Sequence, residues 1–314
     1  MLKGSNISTN ILYTSGFLVP NFYRPIFIIS APRSGSTFFY HSLRKSENVF
    51  SFYRENTPMW IRIFPYGRSE ELSDYVSSYE CNNRTTEAVK SFILAKGIFH
   101  GFGSKQRFSL PVFINNLVMR KSLRYMEKTI ANCFHIDAIE KMFPDALYVH
   151  LVRDGRATVS SMIEGWETFV KVSAGLYFPK ESQISNWSYA LPPNWKEVIY
   201  KPLEEICAWS WVEHNRYIVE KVENDTEFSQ RYMRVSFEEF LENPMETLNK
   251  VAQFCDLELT SEATDYACYK NPSRTTISEP KLDKWKDKHP ERIASVMNII
   301  SPMMESLGYS DSFV

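Results

Sequence analysis

The sequence predicts an α/β protein, in which a central parallel sheet is flanked by helices on both faces. The first observation behind this prediction is the alternation of apolar runs with segments whose apolar residues recur at helical spacing. The second is that the apolar runs are nearly continuous, as in strands that are buried on both faces. The third is size, because 314 residues with 44% hydrophobic content can bury a large core. We therefore expect one domain over residues 1–314.

The strands and helices can be placed in order along the chain. Strands are predicted over residues 26–30, 49–53, 125–128, 146–152 and 232–237. Helices are predicted over residues 36–45, 135–143, 154–162, 203–222, 238–241, 245–255 and 291–307. Two residues indicate helix boundaries, since Pro144 ends one helix and Asp154 is well placed to cap the next.

Two segments rich in aromatic residues, proline and glycine interrupt the alternation, residues 58–123 and 166–202. Ligands of α/β proteins bind beyond the carboxyl ends of the strands, so we expect both insertions to lie over those ends. The core motifs then occupy residues 25–162. Residues 203–314 are expected to add a helical cover.

Composition excludes several classes of protein. The net charge is −1, from 36 basic and 37 acidic residues, which does not favour a nucleic acid or a membrane surface as partner. The early apolar stretch 11–20 is too short to span a membrane and lacks the features of a signal peptide. We therefore expect a soluble, cytoplasmic protein. Five cysteines without a Cys-x-x-Cys pair predict reduced, mostly buried thiols rather than disulfides or a zinc site.

The stretch SAPRSGSTFFYHSL, residues 30–43, joins the first strand to the first helix. Backbone amides and the positive end of the helix dipole make such a loop a site for phosphate. It differs from the loop of nucleoside triphosphatases, because Ser30 replaces the first glycine and Ser36 replaces the lysine. The positive charge lies at Arg33 instead. A later strand ends at Arg153, where those enzymes carry an acidic metal partner, so we expect a P-loop-like domain that binds no metal.

Two motifs resemble those of sulfotransferases that use 3′-phosphoadenosine 5′-phosphosulfate (PAPS). APRSGST, residues 31–37, resembles their 5′-phosphosulfate loop, and LVRDGRATVSS, residues 151–161, resembles their 3′-phosphate motif. The tripeptide EKT, residues 127–129, is closer to the bacterial and tyrosyl-protein branch than to the cytosolic drug-metabolising branch. The resemblance implies that PAPS is the donor and that adenosine 3′,5′-bisphosphate (PAP) is the product.

The resemblance also implies which residues contact PAPS. The 5′ side would be bound by Arg33, Ser34, Gly35, Ser36 and Thr37, and the 3′-phosphate by Arg153 and Ser161. Ser160 and Arg156 are alternates for the 3′-phosphate. In the C-terminal segment, Lys281 or Lys284 would cover that phosphate, or lie in a solvated charged stretch.

The catalytic residues implied by the resemblance are Arg33 and Lys128, which would stabilise charge on the departing phosphate, and a base. Ile130 stands where the drug-metabolising branch has its histidine, whereas Glu55, 22 residues after Arg33, matches the glutamate of the tyrosyl-protein branch. A structural ion pair with Arg54 or Arg62 is the alternative for Glu55, and His100 and His135 are lesser candidates for the base. Glu127 should point to the strand face opposite Lys128.

The acceptor is expected to be a hydroxyl or amine of a small molecule, such as a secondary metabolite or a carrier-bound intermediate. The aromatic residues that would line its pocket, or pack in the core, are Trp166, Tyr177, Phe178, Trp187, Tyr189 and Trp195. Two other functions stay open at this point, a P-loop kinase or other phosphotransferase and a catalytically silent nucleotide-binding module. The sequence does not indicate an oligomeric state.

Overall fold

The computed structural model describes residues 21–65, 72–101, 123–168, 178–269 and 283–310, except for the side chains of 98–101. Its sheet has five parallel strands in the order β2-β3-β1-β4-β5. The strands are β1 Ile26–Ile29, β2 Phe50–Ser51, β3 Tyr125–Lys128, β4 Leu147–Val152 and β5 Tyr232–Ser236. The predicted α/β class with a parallel central sheet is therefore confirmed.

The helices of the described residues cover both faces of this sheet. In chain order they are α1 Ser36–Leu43, α2 Thr57–Ile63, α3 Asn83–Gly101, α4 Ile136–Met142, α5 Gly155–Thr168, α6 Leu203–Asn224, α7 Thr226–Ser229, α8 Phe237–Glu242, α9 Pro244–Cys255, α10 Ser261–Cys268, α11 Lys284–Lys288, α12 Pro290–Ala294 and α13 Met297–Ser306. Short 3-10 helices lie at Ser78–Glu80, Ile130–Phe134 and Trp195–Glu197.

Alternation along β1 supplies two separate cores. Phe27 and Ile29 are buried in one apolar cluster with residues of α4 and α6. Ile26 and Ile28 are buried in another cluster, with residues of α1, α8 and α9. A strand buried on both faces has no polar face, which explains why the run reads as continuously apolar.

The strand order places a topological switch point between β1 and β4. The two strands pair directly, from Ile26 opposite Leu147 to Ile29 opposite His150. The chain leaves β1 toward the β2 edge of the sheet, but it leaves β4 toward the β5 edge. The crevice beyond the carboxyl ends of two such strands is where open α/β sheets bind ligands. The loop after β1 and the residues after β4 border this crevice.

Two of the differences between the predicted elements and the structure have an identifiable cause. The second strand is shorter than residues 49–53, because the Phe52 carbonyl oxygen accepts a hydrogen bond from the Tyr40 hydroxyl (2.6 Å) instead of extending the ladder. The last helix is interrupted between Ala294 and Met297. There the Val296 amide donates to the Ile293 carbonyl in a tight turn, which buries both side chains.

The cysteines follow the sequence prediction. All five are free, and only Cys268 is exposed. Burial raises the pKa of Cys81 to about 11 and that of Cys255 to about 12, so these thiols stay protonated at neutral pH. Among the described helices, we find none with the length and apolar character needed to cross a membrane.

Candidate active site

The backbone of the loop after β1 has an unusual conformation. Arg33 has a φ of 65° and Gly35 has a φ of 85°, so two residues of this short loop are left-handed. Gly35 is also the N-cap of α1, and its carbonyl oxygen accepts from the Phe38 amide at 3.0 Å. A Cβ atom at Gly35 would lie 2.2 Å from the Phe237 ring. Glycine is therefore required here twice, for its φ and for space.

Arg153 lies directly after β4 and faces this loop. Its Nη1 donates to the Arg33 carbonyl oxygen at 3.2 Å, and its guanidinium lies 5.1 Å from the centre of the Phe237 ring. Its Nε is buried and has no hydrogen-bond partner among the described residues. Burial lowers the pKa of Arg153, and the nearby positive charge of Arg33 lowers it further. A buried cation with an unused donor is suited to bind an anion.

The Arg33 side chain extends from the loop toward α5. Its Nε donates to the Ser161 hydroxyl at 3.2 Å. Burial lowers the pKa of Arg33, whereas Tyr189 and Glu164 raise it. Arg33, which is predicted to contact the 5′ side of PAPS, therefore lies beside Arg153 and Ser161, the two residues predicted to contact the 3′-phosphate. Ser34 and Ser36 are buried in the same loop.

Lys128 and Glu55 form an ion pair on the other side of the loop. The Nζ of Lys128 lies 2.5 Å from Glu55 Oε1 and 3.2 Å from the Thr37 hydroxyl. The Lys128 side chain is 5% exposed, whereas that of Glu55 is 36% exposed. Lys128 is thus fixed beneath the loop, and the Glu55 carboxylate can still be reached by an external molecule. The structure gives Glu55 this partner instead of Arg54 or Arg62.

The site therefore has two halves joined by residues 33–37. At one end, Arg33 contacts Ser161 and lies beside Arg153. At the other end, Thr37 contacts Lys128, which pairs with Glu55. The first half offers donors and positive charge to a multiply charged anion. The second half combines a fixed cation with a carboxylate that can accept a proton.

The alternates for the 3′-phosphate have partners of their own. Arg156 forms an ion pair with Asp154 (2.6 Å). Asp154 also caps α5, as predicted, because its carboxylate accepts from the Arg156 amide at 2.8 Å. The Ser160 hydroxyl lies 2.9 Å from His289 Nδ1, and Lys284 pairs with Glu164 at 2.9 Å. Lys281 lies outside the described residues.

The lesser candidates for the base receive no support from this geometry. His135 is 1% exposed, and its ring stacks on Trp60 with centroids 4.0 Å apart. Burial lowers the pKa of His135 to about 3, so it is neutral and shielded from any acceptor. The side chain of His100 lies outside what the structure describes.

The aromatic residues at the end of α5 and in the segment after it mainly build a core. Trp166, Trp187 and Trp195 are each at most 3% exposed. Trp166 and Trp187 pack edge to face, with ring centroids 5.2 Å apart. Tyr189 donates its hydroxyl to the Met162 carbonyl at 2.8 Å, and Phe178 packs on Trp195. Tyr177 lies outside the described residues. Among the described members, the packing interpretation therefore fits the three tryptophans better than a pocket lining.

Sequence reasoning missed two features of the site. Phe237 contacts both Gly35 and Arg153 from the start of α8. It lies 202 positions after Gly35 and 84 after Arg153, and no sequence signal links positions so far apart. Glu127 was expected on the strand face opposite Lys128, and it lies there, but its buried contacts with Asn56 were not foreseen. Two adjacent charged residues in a short buried strand, Glu127 and Lys128, are the signal that indicates such partners.

The residues present fit a nucleotide that carries two separated phosphorylated positions. The left-handed loop and α1 supply amides for one position. Arg153, with its unused buried Nε, and Ser161 supply donors for the other. The two groups border the same crevice, so one nucleotide can contact both.

Comparisons with known proteins show similarity at the level of the family and the fold. A model of the sulfotransferase family matches residues 25–261. Protein-tyrosine sulfotransferase 1 of Danio rerio is 24% identical over 98% of this chain and 76% of its own length. Sulfotransferase STF9 of Mycobacterium avium has a TM-score of 0.52 at 13% identity, over 96% of this chain and 82% of its own. The sulfotransferase domain of the Synechococcus PCC 7002 olefin synthase also has a TM-score of 0.52, at 18% identity over 93% and 97%.

Proposed function

This chain belongs to the sulfotransferase family, with PAPS as its sulfuryl donor, and on that premise we propose that it transfers the sulfuryl group to a hydroxyl or amine by in-line displacement. The match to the sulfotransferase family argues against a P-loop kinase, the alternative that the loop sequence left open. The observation that carries the proposed mechanism is the 2.5 Å contact between Lys128 and Glu55 at the end of the loop.

The donor would be bound by the loop and by the end of β4. Amides and hydroxyls of Arg33, Ser34, Gly35, Ser36 and Thr37 would contact its 5′ side, in keeping with the left-handed φ values of the loop. Arg153 and Ser161 would contact the 3′-phosphate. The buried, unused Nε of Arg153 supports this assignment, because a charge-assisted hydrogen bond there would satisfy it.

Glu55 would act as the base. Its carboxylate accepts the proton of the acceptor while the acceptor oxygen or nitrogen forms a bond to sulfur and the bond from sulfur to the bridging oxygen breaks. Lys128 then donates to that bridging oxygen as negative charge develops on the departing phosphate. Arg33 is assigned to the same oxygen. Its Nε donates to Ser161 in the structure, and a guanidinium carries further N–H donors on its two Nη atoms.

The acceptor side of the proposal is a small molecule, either free or attached to a carrier. The partial exposure of Glu55 supports an acceptor that approaches from solvent. A tyrosine hydroxyl of a protein is the second candidate, because the curated relatives that match most of this chain are named protein-tyrosine sulfotransferases. A hydroxyl or an amine would present its proton to Glu55 in the same way, so the mechanism is the same for either acceptor.

Turnover by the Glu55→Gln variant tests the mechanism. Sulfuryl transfer from PAPS would be measured on panels of small-molecule and carrier-bound hydroxyls and amines and of tyrosine peptides, together with the affinity for PAP. We expect the variant to lose about 10²- to 10⁴-fold in kcat and to retain its PAP affinity. Glu262→Gln is the matched control, since Glu262 pairs with Lys45 on another surface. Unchanged transfer by Glu55→Gln would overturn the assignment, and PAP binding without transfer by the unaltered chain would favour the silent module.

A further inference from the structure

A buried cluster of polar side chains lies directly behind the Lys128–Glu55 pair. Its members are joined by hydrogen bonds and come from β3, the residues beside it and the segments after β2. We call them the Asn56 cluster: Asn56, Lys96, Tyr125, Glu127, Thr129 and Asn132. None of them belongs to the two halves of the site described above.

Glu127 is the charged centre of the cluster. It is 3% exposed, and its carboxylate accepts from the Tyr125 hydroxyl at 2.6 Å, from Asn56 Nδ2 at 2.7 Å and from Asn132 Nδ2 at 3.1 Å. A buried carboxylate is costly unless several donors satisfy it. Three short contacts meet that requirement, so Glu127 holds its neighbours in defined positions.

Asn56 uses its side chain and its backbone in the cluster. Its Nδ2 also donates to the Tyr125 hydroxyl, and its Oδ1 accepts from the ammonium of Lys96. Its backbone amide donates to the Thr129 hydroxyl at 2.9 Å. Asn56 is 2% exposed, and its carbonyl oxygen accepts from the Met59 amide in the first turn of α2. The position of this residue is therefore fixed on four sides.

Several residues of the cluster are direct neighbours of the catalytic pair in the sequence. Asn56 directly follows Glu55, while Glu127 and Thr129 directly precede and follow Lys128. Two hydrogen bonds thus join the residue beside Glu55 to the residues on both sides of Lys128. The Asn56 side chain donates to the Glu127 carboxylate, and the Asn56 backbone amide donates to the Thr129 hydroxyl. The contact between the two catalytic side chains is supported from behind by a second set of contacts between their neighbours.

Lys96 extends the cluster to the inserted helix α3. Its ammonium bonds to Asn56 and lies 4.3 Å from the centre of the Phe52 ring. Burial lowers the pKa of Lys96, and the negative charge of Glu127 raises it. The insertion between β2 and β3 therefore contributes one side chain, that of Lys96, to the Asn56 cluster.

We propose that the Asn56 cluster positions the catalytic pair, with Asn56, Glu127 and Thr129 as positioning residues that set the distance between Glu55 and Lys128. The proposal rests on the proposed function, since it assigns to the cluster the geometry that the transfer requires. A merely structural cluster would affect stability and donor binding together. A positioning cluster affects kcat while the affinity for PAP, which depends on the loop and Arg153, is retained.

The two Thr129 variants test a single hydrogen bond of the cluster. Thr129→Val keeps the branched shape but removes the acceptor for the Asn56 amide, whereas Thr129→Ser keeps the hydroxyl. We expect kcat to fall about 10-fold or more for Thr129→Val and to stay near the original for Thr129→Ser. Asn56→Ala and Glu127→Gln should lower kcat about 10- to 100-fold, because displacements near 1 Å have effects of this size. The affinity for PAP should change by less than about 3-fold, because the contacts proposed between PAP and residues 33–37 are not altered.

Asn215→Ala is the matched control for Asn56→Ala. Asn215 is also 2% exposed, and its side chain also bonds to buried partners, His150 and the Trp211 carbonyl. It lies on α6 and contacts β4 instead of β3. Assays would be run well below the melting temperature of each variant. Equal kcat for Thr129→Val, Thr129→Ser and the original protein would overturn the proposal, as would equal losses for Asn56→Ala and Asn215→Ala. If Asn56→Ala does not fold, the two Thr129 variants and Glu127→Gln decide.

Failure of this inference differs from failure of the proposed function. If Glu55→Gln loses turnover while Thr129→Val and Glu127→Gln keep it, the mechanism holds and the positioning role is wrong. If Glu55→Gln keeps turnover, the assigned base is wrong, whatever the cluster variants do. In that case, a lower kcat for Thr129→Val would show that the cluster acts through Lys128 alone.

Discussion

The Nζ of Lys128 and the Oε1 of Glu55 lie 2.5 Å apart, yet the two side chains differ sharply in exposure. Lys128 is enclosed by β3 and α1, where Thr37 supplies its second contact. Glu55 follows β2 and keeps about a third of its side chain exposed. A fixed cation and a reachable carboxylate are therefore combined in one ion pair.

The first prediction concerns this pair. Lys128→Met should lower kcat about 10²- to 10³-fold, because it removes a fixed donor that stabilises developing charge. The double variant with Glu55→Gln should lose less than the product of the two single losses, since both changes disrupt one unit. Steady-state kinetics with PAPS would measure all three variants. Losses that multiply would show that the two residues act independently.

The second prediction concerns Arg153. Arg153→Ala should weaken binding of PAP about 10- to 150-fold, the equivalent of about 1.5–3 kcal/mol for a charge-assisted hydrogen bond. Binding of adenosine 5′-monophosphate should change much less, because that nucleotide lacks the 3′-phosphate. Calorimetric titration with both nucleotides would measure the difference. Equal losses for both would contradict the assignment, and a selective loss of PAP binding in Arg156→Ala would transfer it to Arg156.

The third prediction separates the two requirements at Gly35. Gly35 and Gly308 both have a φ of 85°, but a Cβ atom meets the Phe237 ring only at Gly35 and has open space at Gly308. Gly308→Ala should cost about 1–2 kcal/mol, the usual penalty for a left-handed alanine. Gly35→Ala should cost about 3 kcal/mol, because overpacking adds to that penalty. Urea unfolding would measure both, and equal costs would contradict the close approach of Phe237.

The fourth prediction concerns acid stability. Burial lowers the pKa of His150 to about 3, against about 6.5 in the unfolded chain. The unfolded chain therefore binds a proton below pH 6.5 that the folded chain does not bind. The contribution of the neutral His150 to the free energy of unfolding is fully present above about pH 6.5. It is lost as the pH falls toward 3, by about 1.4 kcal/mol per pH unit.

The measurement is the free energy of unfolding as a function of pH. In His150→Gln, the slope between pH 6 and 4 should fall by about 1.4 kcal/mol per pH unit, whatever the effect on absolute stability. His289→Gln should change the slope less, since His289 is partly exposed. An unchanged slope in His150→Gln would show that this histidine is protonated in the folded protein.

Local sequence was sufficient for the elements that surround the donor half of the site. The continuous apolar run before Ser30 and the cap at Asp154 depend on neighbours in the chain, and both were predicted where they occur. The predicted partners Arg33 and Arg153 also lie together, because parallel strands end at the same edge of a sheet.

Long-range packing determined what the sequence could not indicate. The end of β2 depends on the Tyr40 hydroxyl from α1, and the shape of the loop depends on Phe237 from α8. The partner of Glu55 is Lys128, 73 positions later, and the only ion pairs that the sequence offered as an alternative for Glu55 were with its near neighbours Arg54 and Arg62. Such contacts are set by how helices pack on the sheet, and a single sequence carries no periodic signal for them.

The adjacency of Arg33 and Arg153 has a practical consequence for measuring this protein. The two guanidinium groups place positive charge on both sides of the loop, so a small oxyanion close to both should raise the melting temperature. Phosphate or sulfate in a buffer would then compete with the nucleotide and make the thermal shift caused by PAP smaller. Experiments in a buffer with a zwitterionic or bulky anionic component should reveal the full shift.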